Sequence, residues 1–98
     1  MRIFGEGLCL ALLLELQRRS VRALSQVPIE VHYLGRCVGQ YEADIIVEGK
    51  VILELKAASV LNDIHRAQLL NYLKASQIRL GLLLNFGKTR LQHERFVL

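Results

Sequence analysis

The chain lacks most of the features that would mark it as secreted, zinc-clustered or membrane-bound. It holds two cysteines, Cys9 and Cys37, and one proline. Two cysteines make no disulfide framework, and no C-x-x-C pair offers the usual spacing for structural zinc. Both read as reduced, half-buried fillers in a cytoplasmic protein. Long apolar runs are also missing. The strongest candidate, "LCLALLL" from Leu8 to Leu14, is far too short to span a bilayer. It makes a poor secretory signal too, because Glu6 precedes it, Glu15 follows directly and "ELQRRSVR" supplies no small-residue cleavage site. Repeats, low-complexity tracts and linkers are absent as well, so residues 1–98 read as a single domain.

What is present is a chain able to build a core. Hydrophobic residues make up 52% of its 98 positions, which argues against wholesale disorder. The formal net charge of +4 is compatible with a polyanionic partner, although a modest excess speaks more directly to solubility.

Residues from Leu8 to about Ala23 favour a helix whose last turns, with Gln17, Arg18, Arg19 and Arg22, are cationic where the helix dipole welcomes positive charge. Pro28 ends any helical continuation and opens an alternating segment, Ile29 to Leu34. Gly35 and Gly39 bracket a turn, and Tyr41–Val47 and Val51–Ala57 form the next two strands. Asn62 caps a helix over Asp63 to about Ala75. "IRLGLLLNF", Ile78 to Phe86, is apolar on both faces and reads as a central strand, with Gly81 leaving room for a helix. Strand, helix, buried strand is the pattern of a parallel crossover. "LQHERFVL" can add a final strand. The order α-β-β-β-α-β, with that closing β, predicts an α/β fold in which helices flank a mixed sheet.

Three charges interrupt the two strands "YEADIIVEGKVILELKA": Asp44, Glu54 and Lys56. Alternation places Ile52, Glu54 and Lys56 on one face. If Val47 pairs with Val51, leaving Glu48, Gly49 and Lys50 as the loop, Asp44 faces Glu54 and Glu42 faces Lys56. A two-residue loop would send Asp44 to the wrong face. Opposed side chains start roughly 4.5–5.5 Å apart at Cβ, and two carboxylates that close repel unless a cation lies between them. Hard oxygen ligands suit Mg²⁺ or Mn²⁺ rather than zinc. Lys56 can orient or deprotonate an attacking water, or offset charge that builds on a phosphate. The ordinary alternative is a set of exposed ion pairs with Asp44 bonded to a turn. On the following helix, Leu69, Leu70 and Leu73 form an apolar stripe with His65, Gln68 and Tyr72 along its edge. Packed on the sheet, those three polar tips lie near a strand, or else serve as a boundary pair and a first-turn histidine.

Taken together, Asp44, Glu54 and Lys56 followed by "QLLNY" resemble the PD-(D/E)XK nuclease-like superfamily, with the Q-x-x-x-Y helix of its exonuclease-type branches. More closely, "VPIEVHYLGRCVGQYEADIIVEGKVILELKA", "HRAQLLNYLKAS" and "LGLLLNFG" resemble the small GxxExxY family of bacterial and archaeal proteins. The resemblance implies a restriction-endonuclease-like core. It implies a Mg²⁺ or Mn²⁺ ion held by Asp44, Glu54 and the Leu55 carbonyl, with Lys56 as catalytic lysine. Gln68 and Tyr72, with His65 beside them, become supporting residues; Arg66 and Lys74 are expected phosphate contacts. Nucleic acid, DNA first, is the implied partner, with no membrane involved and self-association left open. One departure stands out. The first-helix Gly-x-x-Glu-x-x-Tyr motif is missing, and with it the carboxylate that often completes such a site; Glu6 and Glu15 are the substitutes at hand. Two functions stay open: a Mg²⁺-dependent nuclease, or a catalytically inactive nuclease fold that binds nucleic acid or a protein.

Overall fold

The computed structural model describes residues 3–87 and 89–98, with side chains from residue 7 onward. The elements are α1 (Ile3–Arg18), β1 (Ala23–Tyr33), β2 (Arg36–Val47), β3 (Val51–Lys56), α2 (Asp63–Ser76), β4 (Leu80–Asn85) and β5 (Gln92–Val97). The strands form one mixed sheet in chain order, β1-β2-β3-β4-β5. Among the described residues only β3 and β4 are parallel, and α2 is the crossover between them. The closing strand pairs antiparallel with β4.

Each helix covers one face. Leu69, Tyr72 and Leu73 of α2 pack with Ile29, Ala43, Ile52 and Leu83. Cys9, Leu12, Leu13 and Leu16 of α1 pack against Ala23, Ile45 and Leu53. Gly81 sets how deeply α2 sits, because a Cβ there would lie 2.9 Å from a Leu69 methyl. That is the close approach expected of a glycine within a buried strand.

The first helix ends five residues before the expected Ala23, and β1 starts upstream of Pro28. Ser20 makes the stop in a left-handed conformation, with φ of 62°. The Val21 amide reaches the Leu16 carbonyl at 2.8 Å, and the Ser20 amide reaches Gln17 at 2.9 Å. That paired pattern is a Schellman cap, which usually advertises itself by glycine. Pro28 then lies inside β1, tolerated because β1 is an edge strand. At the other helix the sequence is followed closely. Asn62 accepts from the His65 amide at 3.0 Å, and His65 Nδ1 accepts from the Asn62 amide at 3.3 Å, closing a capping box.

The sheet has one irregularity close to the acidic residues. The β1–β2 ladder runs Leu24↔Ile46, Ser25↔Ile45, then Val27↔Ala43, passing over Gln26 and Asp44. Gln26 has φ of 55°. Ala23 and Ile45 belong to the α1 side of the sheet, whereas Ile29 and Ala43 belong to the α2 side. Positions an even number apart should share a face, so both strands switch faces at Gln26 and Asp44.

Candidate active site

The register between β2 and β3 follows the three-residue loop: Val47↔Val51, Ile46↔Ile52 and Ile45↔Leu53. Glu48 and Gly49 take φ of 54° and 65° to make the turn, which the Lys50 amide closes onto Val47 at 2.9 Å. Pairing stops at Ile45↔Leu53, so neither Asp44 and Glu54 nor Glu42 and Lys56 form the ladder pairs that the three-residue loop predicts. At the next position the Asp44 side chain replaces the backbone. Its Oδ2 accepts the Leu55 amide at 2.8 Å, which sets this carboxylate against β3 beside Glu54. The strand thus ends its ladder on an acid, at the point where it switches faces.

Glu54 is buried, with 3% of its surface exposed, and its Oε1 has no hydrogen-bond partner among the described residues. Burial is the main cause that pushes its pKa up to about 9; the adjoining Asp44 adds to the rise, and Lys56 opposes it. A buried carboxylate next to another carboxylate, with one oxygen unpartnered, is a costly arrangement that a cation relieves. The residues therefore fit a divalent ion: Asp44 and Glu54 supply hard oxygens, and the Leu55 carbonyl lies in the chain between Glu54 and Lys56.

The remaining members come from α2. Lys56 Nζ donates to Gln68 Oε1 at 2.9 Å, linking β3 to the helix. Tyr72 is buried, and its ring lies 5.4 Å from that of Tyr41, tilted by 45°. Its hydroxyl is pushed up to about 12, first by burial and then by the charges of Glu54 and Asp44, so it stays protonated. Behind Lys56, the buried Asn85 side chain accepts from the Ala58 and Gly87 amides and donates to the Ala58 carbonyl. The Phe86 amide donates to the Lys56 carbonyl at 2.7 Å. A Cβ on Gly87 would collide with the Ala58 backbone, so only glycine fits that clamp.

Three expected participants have other engagements. His65 is occupied in the helix cap. Arg66 forms a two-bonded pair with Glu94, at 2.8 Å for each bond, and also reaches Asp63; of the two expected phosphate contacts, Lys74 alone lacks such a pairing among the described residues and is exposed. Glu15 pairs with Arg18 and Arg19, which hold its carboxyl at about 2, so it does not reach Asp44 as a substitute ligand. Glu6 lies outside the residues whose side chains are described.

Cys9 and Tyr41 are neighbours of the site that the motif did not point to. Cys9 Sγ lies 3.9 Å from the Asp44 carbonyl. Burial first, and then Asp44, push its thiol up, so it is protonated and neutral at the site's edge. The first helix thus presents a thiol near Asp44. No sequence signal distinguishes Cys9 from its apolar neighbours.

A family model described as the PD-(D/E)XK nuclease superfamily matches residues 8–96. The chain belongs to this superfamily. The crystal structure of SSO0001 superposes with a TM-score of 0.75 at 23% identity, covering 97% of this chain and 50% of that one. That likeness shows the restriction-endonuclease-like fold, and the chain spans half the length of its solved relative. No curated protein is matched by sequence. PD-(D/E)XK nucleases typically use divalent metals, consistent with the acidic pair. Among the described residues no helix is long and apolar enough to cross a membrane.

Proposed function

We propose that this chain hydrolyses phosphodiester bonds of nucleic acid, with DNA as the expected substrate. The reading also takes the protein to be cytoplasmic and nearest to the GxxExxY group. The observation that carries it is the buried Glu54 carboxylate, unpartnered at Oε1 and set beside Asp44 at the end of the β2–β3 ladder. Asp44, Glu54 and the Leu55 carbonyl would hold Mg²⁺ or Mn²⁺. Such an ion, when bound, supplies Lewis acidity toward a phosphoryl oxygen and toward water.

The chain's own residues do the rest. Asp44, fixed through its bond to the Leu55 amide, stays oriented toward β3. Lys56 is held by Gln68, which lowers the cost of presenting an ammonium to a phosphate whose charge grows in the transition state. Tyr72, kept protonated by burial and by the charges of Glu54 and Asp44, packs against the Tyr41 ring at the same edge. Purified Lys56→Ala and Glu54→Ala, checked for folding by circular dichroism, are expected to lose at least about 100-fold of divalent-dependent cleavage, the scale on which lost electrostatic stabilisation acts. Unchanged cleavage in Lys56→Ala would remove the proposal.

A second reading has one observation in its favour. The first helix offers the neutral Cys9 near Asp44 and no described carboxylate there. A silent nuclease fold that binds nucleic acid would show salt-dependent affinity with no cleavage in any divalent metal.

A further inference from the structure

Beyond Asp44 the β1–β2 ladder continues without β3, as a two-stranded ribbon. Val27, Ile29 and Ala43 anchor its base on the α2 side. From His32 to Val38 every residue is exposed. The tip is a two-residue turn in which Leu34 and Gly35 have φ of 52° and 78°. Isolated two-stranded hairpins are marginally stable, so this outer part has little of its own to hold it.

Glu30, His32 and Cys37 lie on this outer part. One ligand atom from each falls within 4.8 Å of the others. His32 Nε2 stands 3.4 Å from Glu30 Oε2. Tetrahedral ligands at roughly 2.0–2.3 Å from zinc are spaced on the order of 3.3–3.8 Å from one another, so the trio needs only a small closure. The cysteine's place in it depends on a bulge. The ladder runs Glu30↔Gln40 and Val31↔Gly39, then shifts to His32↔Cys37 and leaves Val38 without a partner. In an unbroken ladder Val38 would face His32, and Cys37 would project to the opposite face. The extra residue therefore exchanges an exposed valine for a thiol beside an imidazole and a carboxylate. Bulges commonly re-aim a side chain in this way.

We propose that Glu30, His32 and Cys37 form a site for a borderline-soft divalent cation, Zn²⁺ first, that clips the ribbon together beside its turn. The ligand set is one thiolate, one imidazole and one carboxylate, a combination that selects zinc over magnesium. On binding, the Cys37 thiol gives its proton to solvent and exchanges its 3.4 Å contact with the Gly39 carbonyl for the metal. Three protein ligands leave a fourth position for water or for an external donor.

The test uses Co²⁺ as a spectroscopic stand-in and Zn²⁺ in calorimetry, with the full chain, a non-thiol reductant and excess Mg²⁺. Wild type, Cys9→Ser and the Asp44→Ala/Glu54→Ala double variant are expected to show the same stoichiometric thiolate-to-cobalt absorption. Cys37→Ser is expected to abolish it. His32→Ala should weaken Zn²⁺ binding by more than about 100-fold, beyond the roughly 10–100-fold that losing a mere supporting partner costs. A band of full strength in Cys37→Ser, its loss in the double variant, or its absence from wild type would each overturn the site. Both substitutions at the tip are on exposed positions, so folding is preserved and the readout is direct.

Discussion

Two clusters of ligating side chains, the first completed by Glu54 of β3, lie at the two ends of the β1–β2 hairpin and could hardly be built more differently. At its base, Asp44 and Glu54 are two carboxylates, one of them fully buried, brought together where a ladder ends. At its tip, Glu30, His32 and Cys37 are all exposed and mix oxygen, nitrogen and sulfur. The base is a costly arrangement that folding tolerates, because the charge cost of Glu54 is met by keeping its proton. The tip carries no such cost, since water solvates each group. Burial makes the first cluster sensitive to pH and to loss of either partner. Exposure makes the second nearly neutral for folding and dependent on its metal for any effect.

The sharpest way to break this contrast is Glu54→Gln, followed by calorimetry with Mn²⁺. Binding at the base should fall at least about 100-fold, since a first ligand is lost where even a supporting partner costs roughly 10–100-fold. Zn²⁺ uptake at the tip should be unchanged.

The same variant tests the proton. A carboxyl whose pKa is about 9 in the folded state and near 4.5 when exposed holds its proton in the native state over the whole interval between. In that interval the unfolded state binds fewer protons, so stability falls as pH rises from about 4.5 to about 9. Urea unfolding in EDTA should show this decline in wild type and a flatter profile in Glu54→Gln. At pH 8 the variant should be the more stable by roughly 1–4 kcal/mol, a part of the roughly 1.36 kcal/mol per unit that so large a shift allows. A wild-type profile that rises over this range would mean that Glu54 is ionised in the native protein.

His65→Ala asks which cluster the helix start serves. It should cost about 0.5–2 kcal/mol of stability through the lost capping box and leave cleavage per folded molecule nearly untouched. The smallest effect belongs to Cys37→Ser in zinc-free buffer, within about 0.5 kcal/mol of wild type, as expected for an exposed position.

Sequence reasoning reaches the base of the hairpin more easily than its tip. The "EGK" loop specifies a register that the ladder obeys, and alternation then puts Glu54 and Lys56 on the α2 side. Gln68 and Tyr72 are visible through helical spacing, and Gly81 through its place in an apolar strand. What stays hidden depends on conformations that the residue type does not announce. Ser20 and Gln26 adopt positive φ without being glycine, so neither the end of α1 nor the face switch at Asp44 can be read. Arg66 resembles a phosphate contact because its partner Glu94 arrives from a strand 28 residues away. Cys37, expected to be half-buried, is exposed, because the β1–β2 ribbon runs past the packed part of the sheet and leaves every residue from His32 to Val38 open.

The crossover through α2 also orders events in time. The β1–β2 and β2–β3 ladders join neighbouring stretches of chain, the kind of local contact that forms early. The parallel β3–β4 pairing must wait until a whole helix has been threaded between its strands, and parallel closure is intrinsically slow. Asp44, Glu54 and Lys56 are ready after the first stage, but Gln68 and Tyr72 arrive with the second. A nascent chain emerging only as far as β3 carries its acidic pair without the residues that steady Lys56. The centre is completed only when the parallel pairing brings α2 onto the sheet.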